Sequence, residues 1–214
     1  GITYNAGGSG ITLLQVRDSV ILRGVTVKTA ASGSGETGVN VVSGAAGVVI
    51  DGCTALSLAA GIELSGGATT IKKSSITSNS RVGIQANSAS GNHMIADNLI
   101  SSNAVGIEVT NGSITILRNT IQGSTFDGLR IKSGGAVIMK VNDLRSNDTG
   151  LTFDIGGIGT GTLFRWNNVT GNTSKNADVI TTGTLDAQYN WWGSTDLGVV
   201  NGSIKSSLST AIDF

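Results

Sequence analysis

Proline is absent from all 214 residues of this chain. Strands whose backbone donors are all committed to neighbours exclude proline. Its absence therefore points to a molecule built mainly of hydrogen-bonded strands, although that argument does not reach the loops. Cysteine occurs once, at Cys53, which excludes an intrachain disulfide and a cysteine-rich zinc site. Histidine also occurs once, at His93, too few imidazoles for a copper or zinc centre. Charged residues make up 13% of the chain, about half the usual share. Fourteen basic residues cancel fourteen acidic ones. Such a chain has no net field for nucleic acid or an anionic membrane. Aromatic residues reach only 4%. No apolar run approaches the roughly 18 residues that span a bilayer, and no secretory leader is visible at Gly1.

Glycine is what the chain has in excess, 32 residues, about twice the usual share. It recurs in order: Gly38-Val-Asn-Val, Gly61-Ile-Glu-Leu, Gly83-Ile-Gln-Ala, Gly106-Ile-Glu-Val, Gly128-Leu-Arg-Ile and Gly150-Leu-Thr-Phe, at gaps of 22 or 23 residues. A fixed period of this size predicts a solenoid in which one repeat is one coil. The alternation after each glycine predicts a strand with one face inward. One inward column is expected to run Ile11, Val39, Ile62, Ile84, Ile107, Leu129, Leu151 and Val179; its partner runs Leu13, Val41, Leu64, Ala86, Val109, Ile131 and Phe153.

A second strand follows each glycine strand and reads apolar-x-x-Asn-x-apolar, as in Ile95 to Ile100, Ile116 to Ile121, Met139 to Leu144 and Phe164 to Val169. One polar column runs Val25, Cys53, Ser74, Asn98, Asn119, Asn142, Asn167 and Asn190; a second, five residues on, runs Asn79, Asn103, Ser124, Asn147 and Asn172. Amides both donate and accept, so stacked asparagines can bond along the axis and satisfy turn backbone. A ligand-binding array is the other reading. Cys53 falls in the ladder and reads as a small buried filler. Residues 30–37 and 156–162 lengthen an early and a late turn.

The Gly-Ile-x-Val strand followed by Ile-x-x-Asn-x-Ile resembles the right-handed parallel β-helix repeat of the pectin-lyase-like superfamily, over nearly the whole chain. The resemblance implies an all-β, single-stranded right-handed solenoid of about eight coils, one domain over 1–214, with coils to 190 and a C-terminal cap from 191. Tyr189-Asn-Trp-Trp-Gly, with Ile212-Asp-Phe214, is similar to the closing segment of bacterial and archaeal cell-surface β-helix proteins, and implies a secreted or cell-surface location. Trp191 and Trp192 are read either as a sugar-stacking platform or as a plug over the last coil. Residues 203–212 have apolar positions at 204, 208, 211 and 212, which fits a short amphipathic helix or an irregular cap.

Polysaccharide-cleaving chemistry needs paired carboxylates, or a base with a cation. The outward column Asn40, Glu63, Gln85, Glu108, Arg130, Thr152 and its neighbour Val42, Ser65, Asn87, Thr110, Lys132, Asp154 predict ion pairs Glu108–Arg130 and Lys132–Asp154. Glu63 and Glu108 should lie two coils apart, about 9.6 Å. Arg130-Ile131-Lys132 resembles the Arg-Ile-Lys motif of polygalacturonases, but the aspartates those enzymes carry upstream are missing, and Gly91-Asn-His departs from Gly-His-Gly. Asn-x-Ser/Thr occurs at Asn111, Asn147, Asn168, Asn172 and Asn201, as expected by chance in such a composition. The sequence thus predicts a non-catalytic extracellular structural or adhesive module, with polysaccharide or another cell-surface component as partner and no cofactor or metal. Two alternatives stand beside it. One is a polysaccharide lyase or hydrolase using Glu63, Glu108, Arg130 and Lys132. The other is a subunit that self-associates end to end, with Gly1 to Asn5 as its open end.

Overall fold

The computed structural model describes residues 12–29, 35–87, 91–133, 136–156, 158–206 and 210–213. Ile11, Gly1 to Asn5 and most of the early loop lie outside the described residues. Three parallel sheets run the length of the molecule. A typical coil supplies Val82–Ala86 to the first sheet, Asn92–Ala96 to the second and Leu99–Ser101 to the third. The first two sheets have nine strands and the third seven, each ordered as the chain runs. Consecutive coils are therefore neighbours, and residues one repeat apart touch. Val82 pairs with Val105, Ile84 with Ile107 and Ala86 with Val109. The chain is an all-β right-handed parallel β-helix of about eight coils, the hand that parallel crossovers take.

Both inward columns of the first sheet are buried from Val39 to Leu151 and from Val41 to Phe153, none more than 3% exposed. Each such side chain contributes about 1.5–3 kcal/mol of transfer free energy. The columns differ from the expected ones at both ends. In the first coil Leu14 opposes Val39, where Ile11 was expected, and Val16 opposes Val41, where Leu13 was expected, a shift of three residues. The run Thr12-Leu-Leu-Gln-Val can alternate in two phases, and the chosen one buries Val16. In the last coils Ala177 opposes Leu151 and Val179 lies beside Phe153. The late loop shifts the register there, and a small alanine takes the column place.

Two of the three turns in each coil are tight bends. Between the second and third sheets the chain turns on Gly24, Gly52, Lys73, Asp97, Arg118, Val141, Trp166 and Tyr189, all left-handed with φ between 50° and 63°. The ladder residue follows each. Asn119 donates from Nδ2 to the Ile95 carbonyl (2.8 Å) and to Asn142 Oδ1 (3.1 Å). Its own Oδ1 accepts from the backbone N–H and Nδ2 of Asn98, at 3.0 and 2.9 Å. Every polar atom of that amide is thus consumed, so the column is a structural ladder. Asn98, Asn119, Asn142 and Asn167 are at most 3% exposed. Cys53 is buried in the same column, its thiol against the Leu22 carbonyl at 3.5 Å. Asn79, Asn147 and their neighbours form the second ladder, with Asn79 Nδ2 donating to Asn103 Oδ1 at 2.9 Å.

Beyond the Trp-Trp segment the structure departs from expectation. The helix is Leu197–Ser203, capped by the Asp196 carboxylate, which accepts from the Gly198 and Val199 amides at 2.7 and 3.2 Å. Ile204–Ser206 then joins the first sheet beside Lys175–Val179, and Thr210–Asp213 joins the second beside Gly183–Asp186. Residues 204–213 are therefore mostly strand, not helix. An open sheet edge offers a full row of backbone partners, which outweighs a weak helical spacing.

Candidate functional site

The outer face of the first sheet carries the expected column in register: Asn40, Glu63, Gln85, Glu108, Arg130 and Thr152. Along it runs one connected polar network. Arg81 Nη1 donates to Gln85 Oε1 at 2.7 Å, and Gln85 Nε2 donates to Glu108 Oε1 at 3.0 Å. Lys132 Nζ sits 2.9 Å and Arg130 Nη1 3.8 Å from Glu108 Oε2. Arg130 also pairs with Asp127, which accepts a further bond from the Thr152 hydroxyl. One coil earlier Asn87 Nδ2 donates to Glu63 Oε1 at 3.0 Å. The Glu108–Arg130 contact matches expectation. Lys132 also reaches back to the buried Glu108, a contact beyond the expected pairing with Asp154.

This face holds a shallow hollow of about 310 Å³ lined by Arg81, Glu108, the exposed Phe126, Arg130 and Lys132. Its chemistry is that of fixed charge. A general acid needs a protonated carboxyl aimed at a leaving group. Glu108 instead accepts from the Gln85 amide at one oxygen and pairs with Lys132 at the other, with Arg130 Nη1 3.8 Å away. Glu63 and Glu108 are kept two coils apart by Gln85. Among the described residues no three His, Cys, Asp or Glu side chains converge as metal ligands would.

The structure separates Trp191 from Trp192. Trp192 is 6% exposed and packs on Phe164 with ring centroids 5.8 Å apart, so it plugs the last coil. Trp191 is 48% exposed and bridges to Asn168 at the end of the third sheet. Of the Asn-x-Ser/Thr sites, Asn147 and Asn172 are ladder amides and Asn168 donates to Asp143, whereas Asn111 and Asn201 are exposed. His93 is buried, and neither ring nitrogen has a hydrogen-bond partner among the described residues. Burial pushes its pKa below the ordinary histidine value.

Sequence reasoning passed over the row of bend residues that precede the first ladder. These are Lys73, Asp97, Arg118, Val141, Trp166 and Tyr189, one per coil. Trp166 and Tyr189 stack with centroids 5.7 Å apart and planes 8° from parallel. Lys140 Nζ lies 5.2 Å from the Trp166 ring centroid, and the Arg165 guanidinium 5.7 Å from that of Tyr189. The readable signal was the position just before each ladder residue, where small residues give way to large ones toward the C-terminus.

Three stacked parallel sheets, two ladders and left-handed bends define the parallel β-solenoid class. Within it, residues 37–191 match the family described as right handed beta helix region, and the chain belongs to that family. A comparison with curated proteins found no match.

Proposed function

We propose that the chain is a non-catalytic β-helix module, secreted or displayed at a cell surface, which serves as a structural or adhesive element and binds carbohydrate. The observation that carries this reading is the closed state of the outer carboxylates. Glu63 is bonded to Asn87, Glu108 to Gln85 and Lys132, and Asp127 to Arg130 and Thr152. Carboxylates so engaged are tied up by neighbouring side chains and are not free to serve as the acid and base that glycosidic cleavage requires. Exposed aromatics among hydroxyl and amide side chains suit sugar recognition, since an aromatic face takes the apolar face of a pyranose while polar groups take its hydroxyls.

The enzyme reading has one specific support, the hollow that joins Arg130 and Lys132 to Glu108. A screen on neutral and uronate polysaccharides, with Glu108→Gln as control, decides between the two. The expected result is no new reducing ends and no unsaturated product from either protein. Product from the native chain that vanishes in Glu108→Gln would establish the enzyme instead.

A further inference from the structure

Left-handed backbone disfavours residues with a Cβ, and β-branched or bulky ones most. The first bend uses glycine at Gly24 and Gly52, where the conformation is relaxed, yet holds Val141, Trp166 and Tyr189 at φ 56°, 56° and 62°. Glycine takes the same bend in the two coils whose ladder position is Val25 or Cys53, so the bend geometry itself does not call for a large side chain. Their side chains face solvent: Val141 is 53%, Trp166 49% and Tyr189 65% exposed. Strain kept at an exposed position points to a use for the side chain.

These residues shape a hollow of about 430 Å³ lined by Arg118, Thr120, Val141, Asp143, Trp166 and Asn168. Val141 is shorter than its neighbours on the adjoining coils. It forms a floor between Arg118 and Trp166, whose backbones stand two strand spacings apart, about 9.6 Å. Tyr189, one coil on, covers one face of the indole. On the face toward the Val141 coil the Lys140 ammonium lies over the ring.

The polar lining has unused capacity. Asn168 donates to Asp143 Oδ1 at 2.7 Å, but its own Oδ1 is buried and accepts no bond among the described residues. A buried acceptor without a donor is costly and calls for a partner. Arg118 commits Nε and Nη2 to Asp97 at 2.6 and 2.9 Å, leaving Nη1 to donate. Charge in the hollow is matched, Arg118 by Asp97 and Asp143 by Arg145. Lys140 over the indole is the added cation at the rim, and once it is displaced the lining itself holds no net charge to favour an anion.

We infer that this slot binds one pyranose unit of a neutral glycan. The sugar's apolar face stacks on Trp166, displacing Lys140. Its hydroxyls donate to Asn168 Oδ1 and accept from Arg118. The inference rests on the carbohydrate-binding reading above and names its site. It places recognition on the first bend, away from the charged face of the first sheet.

The test is native electrophoresis through gels that contain a neutral glucan, mannan or xylan, with polygalacturonate in a parallel gel. Wild type is retarded by at least one neutral polymer and not by polygalacturonate. Trp166→Gly relaxes the bend, so its melting temperature holds or rises, while its affinity falls at least tenfold. Lys140→Ala uncovers the indole and binds as well or better. Equal retardation of Trp166→Gly and wild type, loss of binding in Lys140→Ala, or retardation by polygalacturonate alone would overturn the slot while leaving carbohydrate binding standing. No retardation of wild type in any gel, neutral or polygalacturonate, would overturn both.

Discussion

Asn119 shows how a single side chain can hold three coils. Its amide bonds Asn98 and the Ile95 carbonyl on the preceding coil and Asn142 on the following one. Replicated along the column, this arrangement leaves few bend groups unpaired, and each unpaired one would cost about 1–3 kcal/mol. His93 is the counterexample, a buried imidazole with no hydrogen-bond partner among the described residues, in register with Ile114 and beside the uncharged Asn92, Ser113 and Thr115. Burial lowers its pKa below the ordinary value of 6.5. The unfolded chain therefore binds a proton that the folded chain refuses once pH drops below about 6.5. Stability conferred by the neutral ring is present above that pH and is lost as pH falls toward the folded pKa, by at most about 1.4 kcal/mol per pH unit. Urea titrations at pH 7.5 and 5 should show this fall in wild type and a flatter response in His93→Val; equal slopes would deny the burial effect.

At the scale of the element, the glycine that opens each first-sheet strand sets how closely coils approach. A Cβ on Gly106 would stand 2.4 Å from the Gly128 carbonyl oxygen and 2.7 Å from Ile121 Cγ2. Neither backbone nor a buried isoleucine can yield. Gly106→Ala is expected to lose about 3 kcal/mol, the upper end of overpacking costs, measured by urea unfolding. A change within about 0.5 kcal/mol would mean the coils have slack. This glycine column, the inward alternation and the asparagine ladder were all legible in the sequence, because each is a repeated local constraint. Register at the two ends was not. Leu13 and Leu14 are equally apolar, and only the burial of Val16 decides between them. The strands at 204–206 and 210–213 were also hidden, since their partners lie one coil back and not nearby in sequence.

The whole molecule is a stack in which each coil meets only its neighbours, so its outer faces can vary without disturbing the core. That freedom is why the candidate sites were half legible. Period-2 spacing placed Glu63, Glu108, Arg130 and Lys132 on one face, and they do share it. The spacing could not show that Gln85 would bridge to Glu108 or that Lys132 would turn to the same carboxylate. The Trp191–Trp192 pair was visible as a motif, but which ring would be buried depended on Phe164 one coil earlier. The bend row was invisible for another reason: an x position in a repeat shows its meaning only when its φ is known to be positive.

The proposed function is a surface that holds sugar without cutting it. A crystal structure of the protein soaked with the neutral oligosaccharide that retards it most tests this directly. It should show an unbroken chain with one pyranose ring against Trp166 and a hydroxyl on Asn168 Oδ1. A ligand seated instead beside Glu108, Arg130 and Lys132, or found cleaved there, would contradict it.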